Sequence, residues 1–103
     1  MAENQTEKPK DKDSHVIFVG NKPFMNYVTG LVMQFTTQGA AEVSIRARGK
    51  FISRAVDIAE VATKRFLENQ VVVNNIRINS EQFKNEEGKT VRVSTIEIDL
   101  TKK

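Results

Sequence analysis

The chain contains no cysteine and no tryptophan, only two prolines, and a single histidine. Without cysteine there is no disulfide, no thiolate zinc site and no cysteine nucleophile, and the composition fits a reducing interior. The lone histidine, His15, argues against a His-dependent triad and removes the H-E-x-x-H metal motif. The phosphate loop G-x-x-x-x-G-K-[ST], the dinucleotide fingerprint G-x-G-x-x-G and the nucleophile elbow G-x-S-x-G are missing as well. No segment reaches the roughly 18 uncharged apolar residues of a membrane helix, and the N-terminal MAENQTEKPKDKDS lacks the apolar stretch of a signal peptide. A cytoplasmic location with no membrane partner is therefore expected. Asp57 and Glu60 share a helix face at i,i+3, but with Arg54 and Lys64 beside them surface ion pairing is the better reading than a metal site. No catalytic residue, metal or cofactor is expected.

What is present fits one domain. With 103 residues, 39% of them hydrophobic and 28% charged, the chain can bury an aliphatic core without disulfides or metal. The net charge of +3 is modest, but it is unevenly spread. Residues 1–14 hold three lysines against four acids, whereas residues 20–54 hold Lys22, Arg46, Arg48, Lys50 and Arg54 against Glu42 alone; the remainder balances eight basic residues with eight acidic ones. All the excess positive charge lies in one block.

Residues 1–14, polar and broken by Pro9, read as a disordered tail, with the domain running from 15 to 103. Val16-Ile17-Phe18-Val19 is a continuous apolar run, as expected for a strand covered on both faces. Gly20-Asn21-Lys22-Pro23 then supplies a flexible glycine, a possible capping asparagine and a proline suited to a first helical turn. Phe24, Val28, Leu31, Val32 and Phe35 recur at helical spacing before Gly39, a natural stop. Glu42 to Arg46 alternates as a half-buried strand, Arg46-Ala47-Arg48-Gly49-Lys50 is a basic turn, and Ile52, Ala55, Val56, Ala59, Ala62 and Phe66 mark the buried stripe of a second helix. Arg54, Asp57, Glu60, Lys64 and Glu68 fall on its wet side. Val71–Ile78 and Thr90–Leu100 are β-branched runs that should pair as a hairpin with a projecting, mobile tip at Lys84–Lys89. The order βαβαββ predicts an α/β (α+β) fold: a two-layer sandwich of two helices on a four-stranded mixed sheet.

Both strand-to-helix loops carry glycine beside lysine or arginine, and a helix N-terminus offers unpaired N–H groups and a positive dipole end, so phosphate is the obvious ligand. In a β-then-α arrangement the loops leave the same edge of the sheet and bring Lys22 together with Arg46, Arg48 and Lys50. A single basic loop is usually only solvated; two of them without balancing acids define a patch. The hairpin adds Arg77, Lys84, Lys89 and Arg92, a ribbon of the kind that follows a groove, although Glu81, Glu86 and Glu87 weaken that reading. Tyr27 and Phe51 are candidates to stack on bases. The helical setting favours core or subunit packing for Tyr27, and Phe51 is the more open of the two.

Gly-Asn-Lys-Pro-Phe-Met-Asn-Tyr-Val at 20–28, Arg-Ala-Arg-Gly-Lys-Phe-Ile-Ser-Arg-Ala-Val-Asp at 46–57, Arg65-Phe66-Leu67 and Val-Ser-Thr-Ile-Glu-Ile at 93–98 together resemble the Alba family of archaeal chromatin proteins. The resemblance covers residues 15–103. It implies the two-layer fold shared with the C-terminal domain of an initiation factor, a homodimer that can form higher assemblies, and sequence-tolerant binding to double-stranded DNA and to RNA on the chromosome. An RNA-binding subunit of a ribonucleoprotein such as RNase P is the alternative it leaves open. Carried over by position, Lys22, Arg48 and Lys50 would meet phosphates, the hairpin from about Asn79 to Thr90 would reach flanking minor grooves, and Phe66 would serve a dimer–dimer contact. Asn21, Arg46 and Arg54 flank these positions and join the expected nucleic-acid surface. The resemblance also implies two consecutive lysines in the first loop, the first of them an acetylation site; this chain has Asn21 there, so acetylation at that position is not expected, while modification of Lys22 stays open. For the dimer itself, an apolar helix face left over by a four-stranded sheet needs cover, and Tyr27, Leu31 and the Val91-Val93-Thr95 face are the candidates.

Overall fold

The computed structural model describes residues 14–103, so the expected disordered tail falls almost wholly outside the described residues. Strand β1 (Ser14–Phe18) leads into helix α1 (Phe24–Thr36), strand β2 (Glu42–Arg48), helix α2 (Ile52–Val61) and a hairpin of two long strands, β3 (Val71–Lys84) and β4 (Thr90–Lys102). The sheet order is β1-β2-β4-β3. β1 and β2 pair in parallel and β4 runs antiparallel to both its neighbours, and both helices pack into one core on one face of the sheet. The expected two-layer sandwich is the fold.

The core sits between that face and the helices. Val28, Leu31 and Phe35 of α1, Ala55, Ile58 and Ala59 of α2, and Val43, Ile45, Ile96, Ile98 and Leu100 of the sheet are all buried. Each fully buried aliphatic side chain such as Leu31, Ile45 or Ile58 stabilises the fold by about 1.5–3 kcal/mol relative to an exposed one. The alternation of β4 places its isoleucines inward and Thr95, Glu97 and Asp99 on the opposite, helix-free face.

Three expectations are corrected by this packing. β1 is covered on one face only: Ile17 and Val19 pack toward the core, whereas Val16 and Phe18 point to the open face, Phe18 with 69% of its surface exposed. Both helices are needed on the same side to fill one core, so no layer remains for the other. The second-helix stripe is also displaced. Val56 is exposed and Ile58 buried instead, because the buried face of α2 centres on Ala55, Ile58 and Ala59; Phe66 is exposed and Leu67 buried because the last turn, Ala62–Phe66, winds as a π-helix whose wider turn shifts the side chains that follow around the axis. Finally, Tyr27 and Leu31 are buried inside the chain and are not surface to be covered by a partner.

The turns are specified by few residues. Pro23, with φ −55° and ψ 142°, occupies the N-cap of α1 and no side chain caps that helix, so Asn21 is not its cap. Gly49 takes φ +58° between β2 and a 3-10 turn at Gly49–Phe51, a conformation open to glycine at no steric cost, which turns the chain at once into α2. In the hairpin tip, Asn85 Oδ1 accepts the N–H groups of Glu87 and Lys89.

Candidate nucleic-acid interface

Strand direction decides where the basic residues go. Because β1 and β2 are parallel neighbours, the loops that follow them leave the sheet at the same end. The last rung of β2 pairs Arg48 with Thr95, while the β3–β4 ladder continues from Ser80–Ser94 to Lys84–Thr90. Five further rungs at about 3.4 Å per residue carry this ribbon about 17 Å beyond β2, past the same end. Both loops and the hairpin therefore project together.

The first loop is held by side chains. Tyr27 Oη accepts the N–H of Gly20 at 2.8 Å and that of Lys22 at 3.1 Å. Arg54 Nη2 donates to the Lys22 carbonyl at 2.6 Å. Asn21 and Lys22 are exposed at its tip. In the second loop Arg48, Gly49 and Lys50 are exposed, and Lys50 Nζ lies 5.4 Å from the ring centre of Phe51, itself half-buried against the core. Neither helix that starts from these loops has an acid in its first turn, so no carboxylate there offsets the positive end of either dipole.

The other expected residues are deployed differently. Arg46 and Arg77 stand on the open face of the sheet and share Glu97, at 2.8 and 2.9 Å. Arg77 also pairs with Asp99 at 2.7 Å, and the opposite oxygen of Asp99 accepts Ser44 Oγ–H at 2.7 Å. The hydrogen bonds to Glu97 and then to Asp99 hold the Arg77 guanidinium above its ordinary pKa. Their charge is already matched within the sheet. Arg48 forms an exposed ion pair with Glu81 of the hairpin. Lys84, Lys89 and Arg92 are exposed on the ribbon, Lys89 4.0 Å from Glu87. Arg54, expected on the wet side of α2, is half-buried, its guanidinium 5.9 Å from the ring centres of both Phe24 and Tyr27. Away from this end, Phe66 is 49% exposed beside Lys64 and Arg65.

A model of the family Alba matches residues 15–80, which include both loops and most of β3. A protein named DNA/RNA-binding protein Alba 1, from Archaeoglobus fulgidus, is 58% identical over 87 residues that span 84% of this chain and 94% of its own length. The chain belongs to the Alba family. A second member, DNA/RNA-binding protein Alba of Methanococcus maripaludis, is 47% identical over 88 residues, 85% of this chain and 98% of its own. The solved structure of Alba from Thermoplasma volcanium superposes with a TM-score of 0.75 at 44% identity, over 84% of this chain and 98% of that one. The Alba fold is thus the frame on which the two loops and the ribbon are carried.

Two features of this Alba chain were beyond sequence reasoning: the Tyr27–Arg54 grip on the first loop, and the carboxylates that neutralise Arg46 and Arg77. Each joins residues far apart in the chain with no shared motif. The grip had one trace, since Tyr27 follows Lys22 by five residues, within reach of the preceding turn.

Asp99 is the one buried acid among the described residues. Asp99→Ala leaves the buried Ser44 hydroxyl without its acceptor and should cost about 1–3 kcal/mol. In urea titrations at fixed protein concentration this appears as a lower midpoint at unchanged slope, whereas Glu60→Ala, which breaks only the exposed 3.4 Å pair with Lys64, should stay within about 0.5 kcal/mol.

Proposed function

We propose that this Alba chain coats double-stranded DNA, and RNA, on the chromosome as a homodimer that grips the phosphate backbone without reading sequence. The observation that carries this reading is the convergence of two acid-free loops and a basic ribbon at one end of the sheet. The relatives named DNA/RNA-binding proteins support it. Exposed lysines and arginines on loops answer to regularly spaced phosphates, and such contacts fix position without specifying bases. The ribbon is narrow enough to follow a groove. No catalytic step belongs to this reading.

The uncovered hairpin supports the dimer. β3 is a 14-residue edge strand on which only Val71 is buried, and it exposes Val72, Val73, Ile76, Ile78 and Phe83, Ile78 to 79%. A long apolar edge is a template for pairing unless something covers it, and a second copy with the same edge covers both at once. Sedimentation at micromolar concentration and low salt should give twice the chain mass; a monomer under those conditions would remove the dimer from the proposal.

Phe66 lies outside the phosphate-facing end. Its exposure beside basic neighbours suits a contact between adjacent dimers, where one aromatic anchor dominates a small interface. Phe66→Ala should weaken cooperative coating of long duplexes more than the binding of one dimer to a short one. Equal losses in the two assays would show that Phe66 makes no dimer–dimer contact.

If Lys22, Arg48 and Lys50 of both subunits meet phosphates, six charges act per dimer. The logarithm of affinity for duplex DNA should then fall with the logarithm of salt at a slope of about −5. Lys22→Ala removes two of these charges and should flatten the slope by about 2, with similar losses on unrelated sequences. An unchanged slope, or a loss confined to one sequence, contradicts the shared phosphate surface.

A further inference from the structure

We propose that Tyr27 and Arg54 are positioning residues for nucleic-acid binding: a two-point clamp that fixes the peptide units on either side of Lys22 before phosphate arrives. The inference rests on the reading of Lys22 as a phosphate contact. Lys22 sits in a loop with Gly20 and Asn21 on one side and Pro23, which has no N–H, on the other. Its own N–H is taken by Tyr27 Oη at 3.1 Å and its carbonyl by Arg54 Nη2 at 2.6 Å. Both backbone groups of this one residue are thus bound by side chains, and its Cα is pinned between them. Tyr27 also receives the Gly20 N–H, which ties the most flexible residue of the loop to the same oxygen.

The two anchors come from different helices. Tyr27 belongs to α1 and is 8% exposed, so its hydroxyl has a fixed address. Arg54 belongs to the first turn of α2, one turn after Lys50, so the clamp also sets the spacing between the two phosphate-facing loops. Its guanidinium lies beside the Phe24 and Tyr27 rings, and its Nε is buried without a hydrogen-bond partner. That geometry turns Arg54 inward, to the Lys22 carbonyl. Its Nη2 donor is therefore committed to the loop carbonyl and not to phosphate, which separates it from Lys22, Arg48 and Lys50. A loop already ordered binds without the entropy cost of ordering it.

A double-mutant cycle tests the clamp, with a labelled duplex of arbitrary sequence as the probe and the full chain throughout. Tyr27→Phe keeps the ring and removes only the acceptor; Arg54→Met keeps the apolar stem and removes the donor. Each should weaken binding about three- to tenfold, on the order of the one hydrogen bond that Arg54 donates or the two that Tyr27 accepts, and leave the salt slope within about 0.5 of the parent, because neither removes a charge from a phosphate. In the Lys22→Ala background the same changes should cost less than about twofold. If Arg54→Met flattens the slope by about 2 and its loss persists without Lys22, Arg54 is itself a phosphate contact and the clamp is wrong. A Tyr27→Phe protein that binds as well as the parent also overturns it. Should Arg54→Met fail to give a cooperative melt, the Tyr27→Phe arm decides alone. A Lys22→Ala protein with parental affinity and slope would defeat the functional reading itself, a result distinct from clamp variants that fail against a working Lys22.

Discussion

The parallel pairing of β1 with β2, from Ser14 opposite Glu42 to Phe18 opposite Arg46, is the constraint on which the arrangement of charge depends. Parallel neighbours must both be left at the same end, and the crossover through α1 is what lets the chain return to start β2 alongside β1. The two loops, separated by more than twenty residues in sequence, are thereby made adjacent. β4 completes the arrangement by running antiparallel against β2, so that the hairpin tip it shares with β3 emerges past the same end. No long-range electrostatic attraction gathers these cations, which repel one another. Hydrophobic burial of Val43, Ile45, Ile96 and Ile98 under the helices sets the strand directions, and the basic end is a consequence that the core's free energy sustains.

The same sheet decides which cations stay available. On the open face, Ser44, Arg46, Glu97, Asp99 and Arg77 form a row across β2, β4 and β3. Cross-strand neighbours on one face stand close enough for opposite charges to pair, and here two arginines are matched by two carboxylates. Buried against its neighbours, Asp99 would be costly without them. The row ends where the sheet ends. Beyond it, on loops with no opposing strand, Lys22 and Lys50 have no acidic partner among the described residues.

Much of this was legible in the sequence, for reasons that can be named. The βαβαββ order came from hydrophobic periodicities of 2 and 3.6, and the basic block from counting charge along the chain; both are local properties. The misreadings were non-local. Val16 and Phe18 continue an apolar run, and only the placement of both helices on the other face shows that they are left uncovered. The stripe Ala55, Ala59, Ala62 extrapolates to Phe66 at α-helical spacing, but the π turn advances the register by one, so that Leu67 enters the core and Phe66 turns out. Nothing in Ala62-Thr63-Lys64-Arg65-Phe66 announces a π turn by composition. Arg54 looked like one more cation on a wet face, because the rings beside it and the carbonyl it binds belong to another helix and another loop.

A count of basic residues therefore overstates the charge that can act on a nucleic acid, and the structure sets the discount residue by residue. Lys22 and Lys50 are exposed and hold no acidic partner among the described residues, so on the proposed reading they would bring full charges to phosphate and lose little by it. Arg48 would first have to release Glu81, so its gain on the proposed reading would be the difference between two ion pairs, one within the chain and one to the backbone. Both partners of that pair are solvent-exposed, where such a pair is worth little, and exchange is correspondingly easy. Arg46 and Arg77 would have to leave carboxylates that share them, one of these carboxylates buried, and exchange there is costly. The arginines of the sheet thus act as structural cations, and the cations of the loops are the ones left for the proposed phosphate contacts. What separates the two groups is whether a neighbouring strand supplies an acid, a property of sheet register that the charge of the residue does not contain.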